Sequence, residues 1–182
     1  NEVIILDGAI GTELQSMGMP MDDVAWCARS LDTHPDTVRR LHEVYIRAGA
    51  DVITTNTFSS ARHVLEPAGL GDKVKELNTR AVKLTIEARE RAAGDRSVLI
   101  GGAMSRFGGR STPGETLAVN YKEQAEILAG AGVDMFILEF LGKPVENTVL
   151  ALEAAAATGL PIWLALSCWE DEDNSVVRFG NR

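Results

Sequence analysis

The sequence is poor in cysteine, has no excess of basic residues and contains no long apolar run. Cys27 and Cys168 have no CxxC or HxxxH companion, so the sequence predicts neither a disulfide framework nor a zinc site of its own. Low cysteine usage favours a reducing, cytoplasmic setting. The longest apolar stretches, residues 135–141 and 160–168, are shorter than the about 20 residues of a transmembrane helix.

The charge balance is acidic, with 18 Lys and Arg against 26 Asp and Glu and a formal net charge of −8. Binding to nucleic acid or to a membrane surface needs a basic footprint, so we expect neither kind of partner. Hydrophobic residues make up 45% of the 182 residues, enough for a core. The length predicts a single domain over residues 1–182.

Short, near-continuous apolar segments alternate with segments of helical spacing. This pattern is typical of strands that are buried on both faces and joined by helices, and it predicts an α/β fold with a parallel sheet. The predicted strands are residues 3–6, 51–55, 98–101, 134–139 and 161–166.

Three helix-to-strand junctions share one pattern, written AGAD, AGVD and TGLP. Gly49, Gly132 and Gly159 fit the left-handed position that ends a helix. Two architectures have this order of elements: an open doubly wound sheet and a (β/α)8 barrel. A barrel typically needs about 250 residues, so five strands would be only part of one.

Polar residues follow two of the predicted strands. Asp7 ends the first, where a carboxylate would project from the carboxyl end of a parallel sheet. Capping of a turn explains Asp7 equally well. Glu139 lies inside the apolar run MFILEFL, where a carboxylate is either functional or held in a structural ion pair.

Other features have both a functional and a structural interpretation. Thr55 and Asn56 close the second strand, and their polar groups could bind a ligand or simply end the strand. The glycine-rich segment 101–116 is not a phosphate-binding loop, since it lacks GKS or GKT. It is either a cover over a site or a plain connection, with the plain connection favoured. Trp26, Trp163 and Trp169 are expected to have packing roles.

Three long segments resemble the homocysteine S-methyltransferase family: LDGAIGTELQ (6–15), HPDTVRRLHEVYIRAGADVITTNTF (34–58) and YKEQAEILAGAGVDMFILEF (121–140). The resemblance runs from about residue 3 to residue 167. It implies a TIM-barrel type (β/α)8 fold of which this sequence holds about the first five βα units.

The resemblance also implies a function, the transfer of a methyl group from a sulfonium, betaine or folate-type donor to the homocysteine thiolate, giving methionine. In the family, Zn²⁺ holds the substrate as a thiolate, because a free thiol with a pKa of about 8.5 is mostly protonated at neutral pH. The family's three zinc-binding cysteines fall in a later part of the barrel. The resemblance therefore implies a Zn²⁺ whose ligands are not in this sequence, and it assigns no catalytic residue here.

The resemblance implies a set of substrate-binding residues: Asp7, Gly8, Ala9, Thr55, Asn56 and Glu139. The two carboxylates are expected to hold the homocysteine ammonium. The backbone N–H groups of the two residues after Asp7 are expected to meet the homocysteine carboxylate. The two polar residues after the second strand are expected to form part of the pocket wall.

Two other functions stay open. One is a catalytically inactive partial barrel that binds an amino acid or a partner subunit. Such a chain would expose strand edges and would be expected to pair with another chain, which makes a homo-oligomer possible. The other is an unrelated α/β-barrel enzyme, such as a lyase.

Overall fold

The structure is a computed structural model, which describes residues 3–142, 144–166, 168–170 and 177–179. Its strands are β1 (Val52–Thr54), β2 (Leu99–Ser105), β3 (Met135–Leu141), β4 (Ile162–Leu166), β5 (Cys168–Glu170) and β6 (Val177–Phe179). Its α-helices are α1 (Ile10–Ser16), α2 (Ser30–Thr33), α3 (Pro35–Arg47), α4 (Arg62–Leu65), α5 (Val74–Ala92), α6 (Gly114–Ala131) and α7 (Val145–Ala156). Short 3-10 turns cover Cys27–Arg29 and Gly71–Lys73.

Strands β1 to β4 form one parallel sheet in the order β1-β2-β3-β4. Consecutive strands are neighbours and are joined by helices, as the alternating pattern predicts. The α/β prediction and four of the five predicted strands are confirmed. Strands β5 and β6 form a separate antiparallel pair, which the polar sequence after residue 169 did not predict.

The prediction of a full strand over residues 3–6 is wrong in extent. The segment lies beside β1 but forms a single parallel bridge, between Leu6 and Val52. Ile5 accepts hydrogen bonds from the N–H groups of Asp51 and Val52 at 2.8 and 3.2 Å. No other strand in the described ranges pairs with its outer edge, so only one side of the segment is tied into the sheet.

One of the two large hydrophobic clusters lies between the sheet and the helices that cover one of its faces. Its largest fully buried side chains include Ile100, Tyr121 and Phe136. The opposite face carries a smaller cluster of Val52, Met135 and Ile137. Two-sided burial explains the continuous apolar runs of β2 and β3. The equally apolar β4 and residues 3–6 are largely exposed in the described part of the chain.

Glycines end three helices as predicted, because each adopts a left-handed backbone that other residues rarely take. Their φ angles are 110° at Gly49, 101° at Gly132 and 78° at Gly159. Each turn points the chain into the next parallel strand, so the carboxyl ends of the strands share one edge of the sheet. In the described part of the chain, no helix is long and apolar enough to cross a membrane.

Candidate functional site

A cavity of about 380 Å³ opens at the carboxyl ends of the strands. We call it the strand-end cavity. Parallel sheets of this kind place their sites at this edge. Its lining residues are Leu6, Asp7, Gly8, Ala9, Ile10, Gly11, Thr12, Trp26, Cys27, Thr54, Thr55, Asn56, Phe58 and Glu139. All six residues that the sequence singled out for substrate binding are in this set.

Asp7 is partly buried and is held by β1. Its Oδ2 accepts a hydrogen bond from the Thr54 N–H at 2.9 Å, and its Oδ1 accepts one from the Thr54 hydroxyl at 2.7 Å. Burial nevertheless raises the pKa of Asp7 to about 6, against the lowering effect of these bonds. Asp7 therefore ties the first segment to β1 and also presents a poorly solvated carboxylate to the cavity.

Glu139 lies near the end of β3, opposite Ser105 in the β2 register. Burial, and to a smaller extent the nearby charge of Asp7, raises the pKa of Glu139. No Lys, Arg or His side chain in the described ranges forms an ion pair with Glu139 or Asp7. The structural ion pair considered for Glu139 is thus absent from the described part of the chain. Two like charges facing one cavity favour binding of a cation there.

Gly8 and Ala9 connect Asp7 to α1 along the cavity wall. A Cβ at Gly8 would lie 2.8 Å from the ring of Tyr45, so a larger residue there would require that ring to move. The Tyr45 hydroxyl donates to the Ala9 carbonyl at 3.1 Å and holds the segment in place. The N–H groups of Gly8 and Ala9 donate no hydrogen bond within the described ranges. They are available to an anionic group of a ligand.

Thr55 and Asn56 lie in the cavity wall, but their polar atoms are engaged within the protein. The Thr55 hydroxyl accepts the Ala103 N–H at 3.1 Å and bonds the Thr57 hydroxyl at 2.7 Å. The Asn56 amide donates to the Cys27 carbonyl at 3.2 Å and to the Ser30 hydroxyl at 3.3 Å. Both side chains hold neighbouring segments together at the cavity.

Four aromatic rings gather beside the cavity and form what we call the aromatic cluster: Trp26, Phe58, Phe107 and Phe140. Their ring centroids lie 5.4 to 5.9 Å apart in successive pairs. Trp26 and Phe58 line the cavity itself. Sequence reasoning missed this cluster, but its expectation that Trp26 packs is confirmed, because the ring lies against a buried hydrophobic cluster. Three of the rings come from separate connections and Phe140 comes from β3, so no local sequence pattern links them.

The residues described do not fit a zinc site. They contain no group of three His, Cys, Asp or Glu side chains that could share a metal ion. Cys27 donates its thiol hydrogen to Asn56 Oδ1 at 3.2 Å, and burial raises the pKa of this thiol to about 11. A zinc ligand needs the opposite, an easily formed thiolate. The side chain of Cys168 lies outside the described residues.

The chain is similar to several characterised proteins. It is 29% identical to homocysteine S-methyltransferase 4 of Zea mays, over 90% of this chain and 55% of the relative. It is 26% identical to the homocysteine S-methyltransferase of Escherichia coli and 27% identical to a selenocysteine methyltransferase of Astragalus bisulcatus, covering 60% of each. The chain thus spans a little over half the length of these relatives.

Solved structures show the same fold. The metallated form of the Escherichia coli homocysteine methyltransferase MmuM superposes with a TM-score of 0.83 at 24% identity, covering 93% of this chain and 65% of that one. The predicted TIM-barrel type is confirmed for the part of the barrel that this chain covers. The homocysteine S-methyltransferase family model matches residues 4–181. Because that match extends over nearly all of the sequence, the chain belongs to the homocysteine S-methyltransferase family.

Proposed function

We propose that this chain supplies the homocysteine-binding half of an S-methyltransferase that converts homocysteine to methionine. The observation that carries the proposal is the pair of carboxylates at the strand-end cavity. Asp7 and Glu139 face one cavity, both are partly buried, and neither has a cationic partner in the described ranges. An amino-acid ammonium is the cation that such a pair would bind, through charge-assisted hydrogen bonds.

The same cavity suits the rest of an amino-acid substrate. The N–H groups of Gly8 and Ala9 are free to donate to the substrate carboxylate, next to the residue that would bind its ammonium. The apolar and aromatic lining, including Ile10 and Phe58, suits the methylene groups of a homocysteine side chain. In this proposal the three wall residues Thr54, Thr55 and Asn56 shape the cavity through the bonds described above.

The aromatic cluster favours a positively charged methyl donor, either a sulfonium or a quaternary ammonium compound. Aromatic faces stabilise such cations, which cannot donate strong hydrogen bonds, through cation–π attraction. In the transfer, the homocysteine sulfur forms a bond to the methyl carbon, and the donor keeps the electron pair of the bond that breaks. The donor becomes a neutral sulfide or amine, and the thiol proton is released. A folate-type donor would gain less from these rings.

In this proposal, any Zn²⁺ that takes part is bound by residues other than those described. The described residues would bind and orient homocysteine, and no step is assigned to a metal within them. The reaction as a whole is therefore proposed for the protein that contains this chain together with the rest of a barrel.

The test is homocysteine binding to the chain by titration calorimetry. Glu139→Gln keeps the shape of the side chain but removes its charge, and we expect a dissociation constant at least tenfold higher, which corresponds to about 1.4 kcal/mol. Glu153→Gln, on the exposed face of α7, is the matched control and should bind as the parent does. Equal affinity of Glu139→Gln and the parent would contradict the assigned role.

A second candidate function is a partial barrel without catalytic activity that binds an amino acid or a partner subunit. It is favoured by the exposed apolar residues at both edges of the sheet, such as Ile4 at 57% and Leu166 at 46% exposure. Binding of homocysteine without any methionine formed from S-methylmethionine, measured on the purified chain, would support this candidate. Methionine formation by the chain alone would contradict it.

A further inference from the structure

Trp26 has a backbone conformation that non-glycine residues rarely adopt. Its φ is 45° and its ψ is −121°, outside the regions open to residues with a Cβ. Such a conformation persists only where its surroundings hold it. Here its ring stands against Gly11, where an added Cβ would lie 2.4 Å from Trp26 Cη2, and it contacts Phe58 and Phe107. Something must hold the backbone on both sides of this residue.

Asp22 bonds both backbone polar groups of Trp26: its carbonyl accepts the Trp26 N–H at 3.0 Å, and its N–H donates to the Trp26 carbonyl at 3.2 Å. Further restraint comes from the segment that follows β1. Before Trp26, the Ser59 hydroxyl donates to the Ala25 carbonyl at 2.8 Å. After Trp26, the Asn56 amide donates to the Cys27 carbonyl at 3.2 Å, and the Cys27 thiol donates to Asn56 Oδ1 at 3.2 Å. These bonds join residues that are about thirty positions apart in sequence and are all buried.

Asn56 is central to this arrangement, because both ends of its amide bond the residue next to Trp26. Its side chain is only 2% exposed. With Nδ2 donating to Cys27 and Ser30 and Oδ1 accepting from Cys27, the amide has little capacity left for a ligand. The hydrogen bonds of Asn56 to Cys27 and Ser30 therefore explain its position in the cavity wall.

We propose that Asn56 is a positioning residue that fixes the Trp26 ring in the wall of the strand-end cavity, and that it does not bind the substrate through its amide. The catalytic consequence of this inference rests on the proposed function: the Trp26 ring would be fixed where it can contact a cationic methyl donor. The structural part, that Asn56 controls Trp26, can be tested without any ligand.

The first experiment follows the Trp26 ring by fluorescence. The sequence has three tryptophans, so replacing Trp163 and Trp169 by Phe leaves Trp26 as the sole emitter. Asn56→Ala in this background should raise the acrylamide quenching constant at least twofold, because the ring is released from its packing. Asn56→Asp is the second variant, for use if Asn56→Ala does not fold. It keeps the side-chain volume but loses the N–H donor to Cys27, and it should also raise the quenching constant of Trp26.

The matched control is Asn78→Ala. The Asn78 amide is also fully buried and donates to the Ser60 and Val74 carbonyls at 2.8 Å, but it does not line the cavity. It should leave Trp26 quenching at the parent value even if it lowers stability. Unchanged quenching in a folded Asn56 variant, or an equal change in Asn78→Ala, would overturn the proposal.

The second experiment links Asn56 to ligand binding through a double-mutant cycle. The probe is S-methylmethionine, a sulfonium, titrated by calorimetry. Trp26→Leu and Asn56→Ala should each weaken binding at least fivefold, and the double variant should bind no more weakly than Trp26→Leu. Additive losses would show that Asn56 acts independently of Trp26 and would overturn the proposal. A parent chain that binds no sulfonium would contradict the proposed donor, while the quenching result would still decide the role of Asn56.

Discussion

At the scale of single residues, Asp7 is subject to opposing influences. Two hydrogen bonds from Thr54 stabilise its ionised form, but burial destabilises that form more, so its pKa lies near 6. Near neutral pH the carboxylate is mostly ionised but poorly solvated. A cation that entered the cavity would supply the stabilisation that water cannot. The unusual pKa and the proposed ammonium site thus have the same physical origin.

We expect homocysteine affinity to rise with pH as Asp7 ionises. About a tenth of Asp7 is ionised at pH 5 and nearly all of it at pH 7.5, so the dissociation constant should fall by about tenfold over this range. Over the same range the homocysteine ammonium stays protonated. Calorimetry in buffers of different ionisation enthalpy should also detect proton release on binding near pH 6. A dissociation constant that is the same at both pH values would contradict this role of Asp7.

At the scale of secondary-structure elements, two helical glycines differ in what surrounds them. Gly11 in α1 faces the Trp26 ring, and a Cβ there would lie 2.4 Å from it. Gly130 near the end of α6 is exposed, and a Cβ there would meet no other atom within 4 Å. The same substitution should therefore stabilise one helix and not the other.

We expect Gly130→Ala to raise the free energy of unfolding by about 0.5–1 kcal/mol, the usual gain of alanine over glycine in a helix. Gly11→Ala should lose that gain, because the Trp26 ring must move away. Urea unfolding measures both free energies, and Trp26 emission reports the displacement when Trp163 and Trp169 are replaced by Phe. Equal stabilisation by both substitutions would show that Trp26 moves without cost.

The α3–α5 interface contains a fully buried histidine. His42 Nε2 lies 3.3 Å from the Thr85 hydroxyl, which itself donates to the Ala81 carbonyl, so the histidine is the donor in this pair. Its Nδ1 has no hydrogen-bond partner among the described residues. Burial lowers the pKa of His42 from 6.5 to about 4. The two helices therefore pack around a neutral imidazole.

Protonation of His42 should weaken this interface in acid. An unfolded chain binds the proton below pH 6.5 and the folded chain only near pH 4, so the stability contribution is complete above pH 6.5 and is lost as the pH falls through this window. We expect the free energy of unfolding to fall by about 2–3 kcal/mol between pH 6.5 and pH 4 in the parent. This fall should be absent in His42→Leu. Urea unfolding at several pH values checks this, with His34→Leu as the control that should retain the loss. A parallel pH dependence in His42→Leu and the parent would contradict it.

At the scale of the whole molecule, the described sheet has two open edges with exposed apolar residues. On the first edge Val3 is 79% exposed and Ile4 57% exposed. On the β4 edge Trp163 and Leu164 are each 39% exposed. Open edges of this kind favour pairing with another chain or segment.

We expect these 182 residues, purified by themselves, to self-associate as their concentration rises. Replacing Ile4 and Trp163 by lysine should shift the equilibrium toward monomer, because charges on an open edge oppose edge-to-edge pairing. Light scattering after size-exclusion chromatography measures the mass of each species. A monomer that persists at about 100 μM in the parent chain would contradict this expectation, and with it the prediction of a homo-oligomer.

Local sequence patterns determined the order of helices and strands, the parallel sheet and the glycines that end three helices. They also drew attention to Asp7 and Glu139 as carboxylates at the ends of apolar segments, and both line the strand-end cavity. The predicted single domain over residues 1–182 stays a prediction. The order of elements and the helix-ending glycines could be predicted because each depends on residues only a few positions apart, whereas the substrate-binding roles stay predictions.

Only the tertiary structure decided which distant residues meet at the cavity. Trp26 and Phe107 are about eighty positions apart, yet their ring centroids lie 5.9 Å apart. The tertiary structure also showed that the amide of Asn56 is occupied by Cys27, and that the first predicted strand is reduced to one bridge. No local pattern encodes such contacts, because they arise only when separate connections converge on one edge of the sheet.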